Sequence, residues 1–219
     1  MAGVRRGTAD RLKEEGDPLM RTDWTRTRRM VLRERFCEEE VERFAQELGW
    51  TRCGVDQADP EEGIDYHVFW APPGAAIALH YTEDDLARDS YVMVIGKDAA
   101  AVHGAQALIE PRLNTWPLAD LLAEVDGAST PVSVARAVLR AGLGAPGEFD
   151  ERFFARINTA LQHPDRRVRE TALWAVTFSP YGEYRPALTA IQESDEDARL
   201  RDNAEILLGG FDEIGSQEQ

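Results

Sequence analysis

Cysteine is scarce in this chain. Only Cys37 and Cys53 occur among 219 residues, too few for a disulfide framework, and this usage predicts a reducing, cytoplasmic setting. Long apolar runs are missing as well. The longest stretch, Val68 to Leu79, is interrupted by Pro72-Pro73-Gly74 and is too short to span a bilayer, so no membrane association is expected. Residues 1–30 lack the apolar core of a secretory signal. Histidine is limited to His67, His80, His103 and His163. None stands at ligand spacing from another His or a Cys, so no metal or other cofactor is expected. His67 and His80 fall on adjacent predicted strands, where strand pairing or hydrogen bonding is their expected role. A glycine-rich phosphate loop is also missing, because the segment from Gly142 to Gly147 follows a helix and contains Pro146.

The composition is that of a globular protein, 43% hydrophobic and 30% charged. Its net charge is −15, unevenly placed. Residues 1–35 hold 10 Lys/Arg against 6 Asp/Glu, and the remainder holds 15 against 34. An acidic body repels nucleic acid and anionic membranes and steers toward a basic protein.

Residues 1–22 show little periodicity and read as a flexible basic arm. An α+β domain is expected over residues 23–114. Cys37, Val41, Phe44 and Leu48 form an apolar stripe, which predicts a helix from Trp24 to Leu48 that stops at Gly49. Strands are predicted at 64–70, 76–81 and 90–95, with Thr51 to Val55 left open as a fourth, joined as an antiparallel meander with an acidic, solvated turn at Glu83-Asp84-Asp85. Asp98 is placed to cap a helix reaching Glu110. From Trp116 onward only helical spacing occurs, grouped as three hairpins over residues 115–210. Gly209-Gly210 is the expected stop, and residues 211–219 are expected to be disordered.

One helical phrase occurs twice, 32 residues apart. Asp165, Val168, Arg169 and Ala172 are matched by Asp197, Leu200, Arg201 and Ala204, and the match continues to Val176 and Leu208. Repetition at this period marks stacked helical units that cannot bury their apolar faces alone. The pattern of a turn Asp, an aliphatic-Arg pair and an Ala resembles HEAT-type repeats. The likeness spans Phe149 to Gly210. In the preceding hairpin Ala135 stands where Arg169 and Arg201 stand later. The resemblance implies a short α-solenoid that presents a surface to a partner. It also implies an Asp–Arg ladder between successive turns, in preference to ligand contacts by Arg169 and Arg201.

Helical geometry puts Trp174 opposite the core-facing Val168, with Arg167 and Phe178 on the same side. Arg199 and Ile206 hold the matching positions 32 residues later. Two uses remain open for this face: packing against a neighbouring element, or a partner groove anchored by an aromatic residue and arginine. The leading expectation is a non-enzymatic protein–protein interaction module of immunity, adaptor or regulatory type, using an acidic, aromatic-dotted surface. One alternative is a nucleic-acid-associated protein acting through an arginine-rich arm of Arg5, Arg6, Arg21, Arg26, Arg28, Arg29, Arg33 and Arg35. Another is a small-molecule binder or enzyme using a cleft lined by Trp70, His80 and Tyr81.

Overall fold

The computed structural model describes residues 24–59, 61, 65–74 and 76–217, with side chains through Asp212. The arm expected over 1–22 lies outside the described residues, as does Ile64 at the expected start of a strand. The chain divides into two compact units, Met1–Trp116 and Pro117–Gln219. The expected boundary after residue 114 falls slightly early. Thr115 bridges Leu32, and the Trp116 N–H donates to the Val31 carbonyl at 2.7 Å, so both residues close the first unit.

The first unit is an antiparallel sheet carrying two helices. Its elements are β1 (Thr25–Arg26), β2 (Met30–Val31), α1 (Glu38–Glu47), β3 (Thr51–Asp56), β4 (Tyr66–Ala71), β5 (Ile77–Asp84), β6 (Asp89–Gly96) and α2 (Ala99–Ile109). Strand order is β1-β6-β5-β4-β3, and β2 also pairs with β6. Period-two alternation sorts the side chains. Val68 and Trp70 of β4, Ile77, Leu79 and Tyr81 of β5, and Val92 and Val94 of β6 share one core with Val41 and Phe44 of α1 and Val102 and Ile109 of α2. Asp98 caps α2 by accepting from the Ala100 and Ala101 N–H groups. Gly49 follows α1 at φ +73°, the left-handed conformation that favours glycine after a helix.

The helix predicted from Trp24 is corrected by the structure, since only Glu38–Glu47 is helical. Met30, Val31 and Leu32 are consecutive and all buried, which suits a strand covered on both faces and not one helical stripe. Thr27 bonds Val94 from its backbone N–H and through its hydroxyl, and Arg28 pairs with Glu110 at 2.8 Å. Distant partners thus hold this segment extended. The predicted acidic turn is also displaced, because β5 continues through Asp84. Asp84 is buried and accepts from the Ala87 N–H at 2.6 Å. Burial pushes its carboxyl pKa up, so it is a buried cap of the 85–88 turn and not a solvated charge.

The second unit is a helical stack. It contains α3 (Leu118–Gly127), α4 (Pro131–Gly144), α5 (Glu151–Leu161), α6 (Arg166–Phe178), a 3₁₀ turn at Gly182–Tyr184, α7 (Arg185–Ser194) and α8 (Ala198–Gln217). Consecutive helices pair as hairpins α3–α4, α5–α6 and α7–α8. The first members stack on one another, α3 on α5 and α5 on α7, and the second members do likewise, α4 on α6 and α6 on α8. Val168, Ala172, Ala175 and Val176 of α6 and Leu200 and Ala204 of α8 are fully buried. α4 and α6 approach closely, and a Cβ added to Gly142 would lie 2.6 Å from the Ala175 Cβ. The stop expected at Gly209-Gly210 is not used, and the expected disordered tail is helical to Gln217. Phe211 is buried and Arg185 lies over its ring while pairing with Asp212, contacts that extend α8 past the glycines.

Candidate functional site

The turn-facing edge of the helical unit is built from paired charges. Asp165 caps α6 and binds Arg167 through Nε and Nη2 at 3.1 and 2.8 Å. The Arg167 hydrogen bonds hold the Asp165 carboxyl down at about 2. Arg169 binds Asp195 through two hydrogen bonds of 2.7 and 3.0 Å and donates to the His163 and Pro164 carbonyls. Arg201 repeats part of this 32 residues later, donating to the Asp195 carbonyl at 2.6 Å. His163 and Asp195 also share a role, since each side chain accepts the N–H of the following cap Asp, Asp165 or Asp197. Arg166 pairs with Asp197 across the hairpins. The Arg169 guanidinium is thus bound through all three nitrogens, and Arg201 through Nη1.

The opposite face of the second helices exposes two large apolar side chains. Trp174 is 42% exposed and Ile206 is 72% exposed. They hold equivalent places on α6 and α8, which pack together, and helix neighbours of this kind lie about 8–10 Å apart. Phe178 is half-buried one turn after Trp174. Arg167, about two turns before Trp174, is exposed but tied to Asp165. Arg199 is exposed, and its cap carboxylate Asp197 is engaged by Arg166. All five residues proposed for partner binding therefore reach the surface of the same two helices, with Phe178 the least accessible.

The cleft residues do not converge on a surface. Trp70 and Tyr81 are fully buried in the core under α1 and α2. His80 is buried as well and points to the other face of the sheet, because it alternates with Leu79 and Tyr81. There it stacks with His67 and Phe69. The Asp56 carboxylate lies 3.1 Å from His67 Nδ1, and His67 Nε2 lies 2.8 Å from His80 Nδ1. A carboxylate can only accept, so His67 donates from Nδ1 to Asp56, and a single proton lies between His67 Nε2 and His80 Nδ1. His80 Nε2 is then left buried without a partner. Burial, with the neighbouring His67, drives the His80 pKa down to about 3.

The described part of the arginine-rich arm is also engaged internally. Arg28 pairs with Glu110, Arg29 lies over Tyr91, Arg33 over Trp116 and Arg35 over Phe36. Arg5, Arg6 and Arg21 lie outside the described residues. Burial raises the Cys37 thiol to about 11, far from a reactive thiolate. Among the described residues, no cluster of three or more His, Cys, Asp or Glu is placed to hold a metal ion, and no helix is long and apolar enough to cross a membrane. An open cleft of about 370 Å³ lies against Leu161, Ala190, Ile191, Arg169 and Asp195. Its hydroxyl, on Ser194, donates to the Ala190 carbonyl.

A feature that sequence reasoning missed is a closed circuit of four rings in the helical unit. Phe149 meets Tyr181 at 5.5 Å and Phe154 at 5.7 Å, Phe154 meets Tyr184 at 5.1 Å, and Tyr184 stacks on Tyr181 at 5.7 Å. Its only sequence signal was two aromatic pairs about thirty residues apart. Comparison with family models, curated proteins and solved structures returns no match.

Proposed function

We propose that this chain is a non-enzymatic protein–protein interaction module of immunity, adaptor or regulatory type, acting in the cytoplasm on a basic protein. Its helical unit is read as a short HEAT-like solenoid, a reading supported by the turn contacts that recur at a 32-residue interval. The single observation that carries the proposal is the exposure of Trp174 and Ile206 at equivalent positions on two adjacent helices. Large apolar side chains on an acidic, soluble surface cost hydration free energy unless a partner covers them. A central Trp flanked by arginine is the residue type that dominates such contacts. The net charge of −15 adds fast, salt-sensitive association with a cationic partner.

The test is affinity capture of the native partner by the full chain from cytosol, with Trp174→Ala and Ile206→Ala as variants. Capture by the parent chain and loss of about 2 kcal/mol, roughly thirty-fold, in the Trp174→Ala variant is the expected result. Undiminished capture by both folded variants would overturn the assignment of this face.

A further inference from the structure

Two helices contribute to one core on the same face of the sheet, and their outer sides differ. α1 buries Val41, Phe44 and Ala45 and turns Glu39, Glu40, Arg43, Gln46 and Glu47 to solvent. α2 buries Val102, Ala105 and Ile109. Its outer side carries Ala100, His103, Gly104, Ala107 and Leu108, all exposed, with Leu108 at 56%. From Ala99 to Ile109 there is no Asp, Glu, Lys or Arg, in a chain that is 30% charged. The carboxylates at its ends are occupied, Asp98 as the cap and Glu110 by Arg28. A helix that is apolar all round is ordinarily buried all round. α2 is covered on one side only.

The exposed residues have the spacing of a helix seam. Ala100, His103, Gly104, Ala107 and Leu108 fall at i, i+3, i+4, i+7 and i+8. Gly104 stands mid-helix, where glycine costs about 1 kcal/mol relative to alanine. A Cβ added there would meet nothing within 4 Å, so no contact inside the chain requires glycine. Gly142 illustrates what a helical glycine does in this protein, since it lets α4 come close to Ala175. Gly104 leaves the same room for a helix from outside.

Charge selects the occupant. A cationic partner drawn by the acidic surface finds no carboxylate along this face. Two copies of the chain, each at −15, repel one another unless they meet where carboxylates are missing. The α2 face meets that condition, and its pattern is self-complementary. With two α2 helices antiparallel about a two-fold axis at Gly104, Leu108 of each copy lies against Ala100 of the other, large against small. The helix dipoles then run antiparallel, each positive end beside a negative one. We propose that α2 is the interface of a symmetric dimer of this chain, packed through Ala100, Gly104, Ala107 and Leu108. α2 has 11 residues, a seam of about 16 Å, so the dimer belongs to the weak, transient class. This interface is independent of the Trp174 face, and the dimer presents that face twice.

The test is sedimentation equilibrium of the full chain up to millimolar concentration, in low and in high salt. A monomer–dimer equilibrium that tightens as salt rises is expected, because salt screens the repulsion between the acidic bodies. Capture of a basic partner weakens with salt instead. Leu108→Glu brings two carboxylates into the seam and should weaken the dimer about ten-fold or more. Gly104→Gln improves helix propensity and meets no atom of its own chain. It should leave thermal unfolding of the monomer intact and weaken the dimer to a similar degree. Mild oxidation of a Gly104→Cys variant should give a covalent dimer, since its new thiols flank the axis; the parent chain and Arg43→Cys should not. A monomer at every concentration and salt, or a dimer unmoved by both folded substitutions, would overturn the proposal. If Leu108→Glu does not fold, Gly104→Gln and the cross-link decide. Trp174→Ala should leave the equilibrium unmoved, so loss of capture and loss of the dimer are read separately.

Discussion

The sheet unit and the helical unit use the same charged residues in opposite ways. In the sheet unit arginine works over long sequence separations: Arg28 meets Glu110, Arg112 meets Glu47, and Arg33 covers Trp116. In the helical unit the ties run from two residues, as in Asp165 with Arg167, to 31, as in Arg166 with Asp197. The longest ties of the sheet unit therefore span more of the chain than those of the helical unit, so its closure is the more non-local. Both units expose large apolar side chains, Phe36 and Leu108 in the sheet unit and Trp174 and Ile206 in the helical unit; Arg35 lies over Phe36, and among the described residues no cation lies over Trp174.

The comparison is broken most severely in the sheet core. Trp70→Ala should cost about 3–5 kcal/mol in urea unfolding, because the side chain is fully buried in the sheet core. A loss below 1 kcal/mol would show that this core is not closed as described. In the helical unit Gly142→Val should cost about 3 kcal/mol by forcing α4 from Ala175; an unchanged midpoint would contradict the close approach.

Acid sharpens the difference. His80 is neutral when folded, with its pKa lowered to about 3, and titrates near its ordinary value when unfolded. The unfolded chain therefore binds more protons between about pH 6.5 and 3, and stability falls as pH drops through that window. Between pH 7 and pH 5 the loss from this residue should be about 2 kcal/mol. His80→Asn should flatten the dependence in paired unfolding curves, and an unaltered slope would show that His80 is not the sensor.

Arg169→Ala should cost about 1.5 kcal/mol, since it strands the largely buried Asp195 carboxylate and two carbonyl acceptors. The melt would show a neutral effect if the turn ladder carried no load. The smallest effect belongs to Ile206→Ala, expected within about 0.5 kcal/mol by calorimetry while partner capture drops. A large destabilisation there would mean that Ile206 packs inside the stack.

Much of the helical unit was legible because its signals are local. Asp165 and Asp197 act as caps, Val168 and Leu200 face the core, and Trp174 and Ile206 face outward, all at positions set by 100° per residue. The sheet strands were legible from period-two alternation. The failures share a cause. The segment around Met30 carries helix-compatible residues, and its strand character comes from pairing with β6, sixty residues away. Asp84 looked solvated until the turn folded its backbone around it. The circuit joining Phe149 and Phe154 to Tyr181 and Tyr184 required the α5 hairpin to close first.

Residue order alone was enough to set the charge balance, the caps, the helical hairpins and the alternation of strand faces, because each depends on neighbours within a few positions. Which arginines cover which rings, how far α8 runs, and which aromatic residues stay uncovered were settled by contacts between distant segments. Such contacts exchange hydration for burial only after the chain has closed, so short-range pattern carries no trace of them.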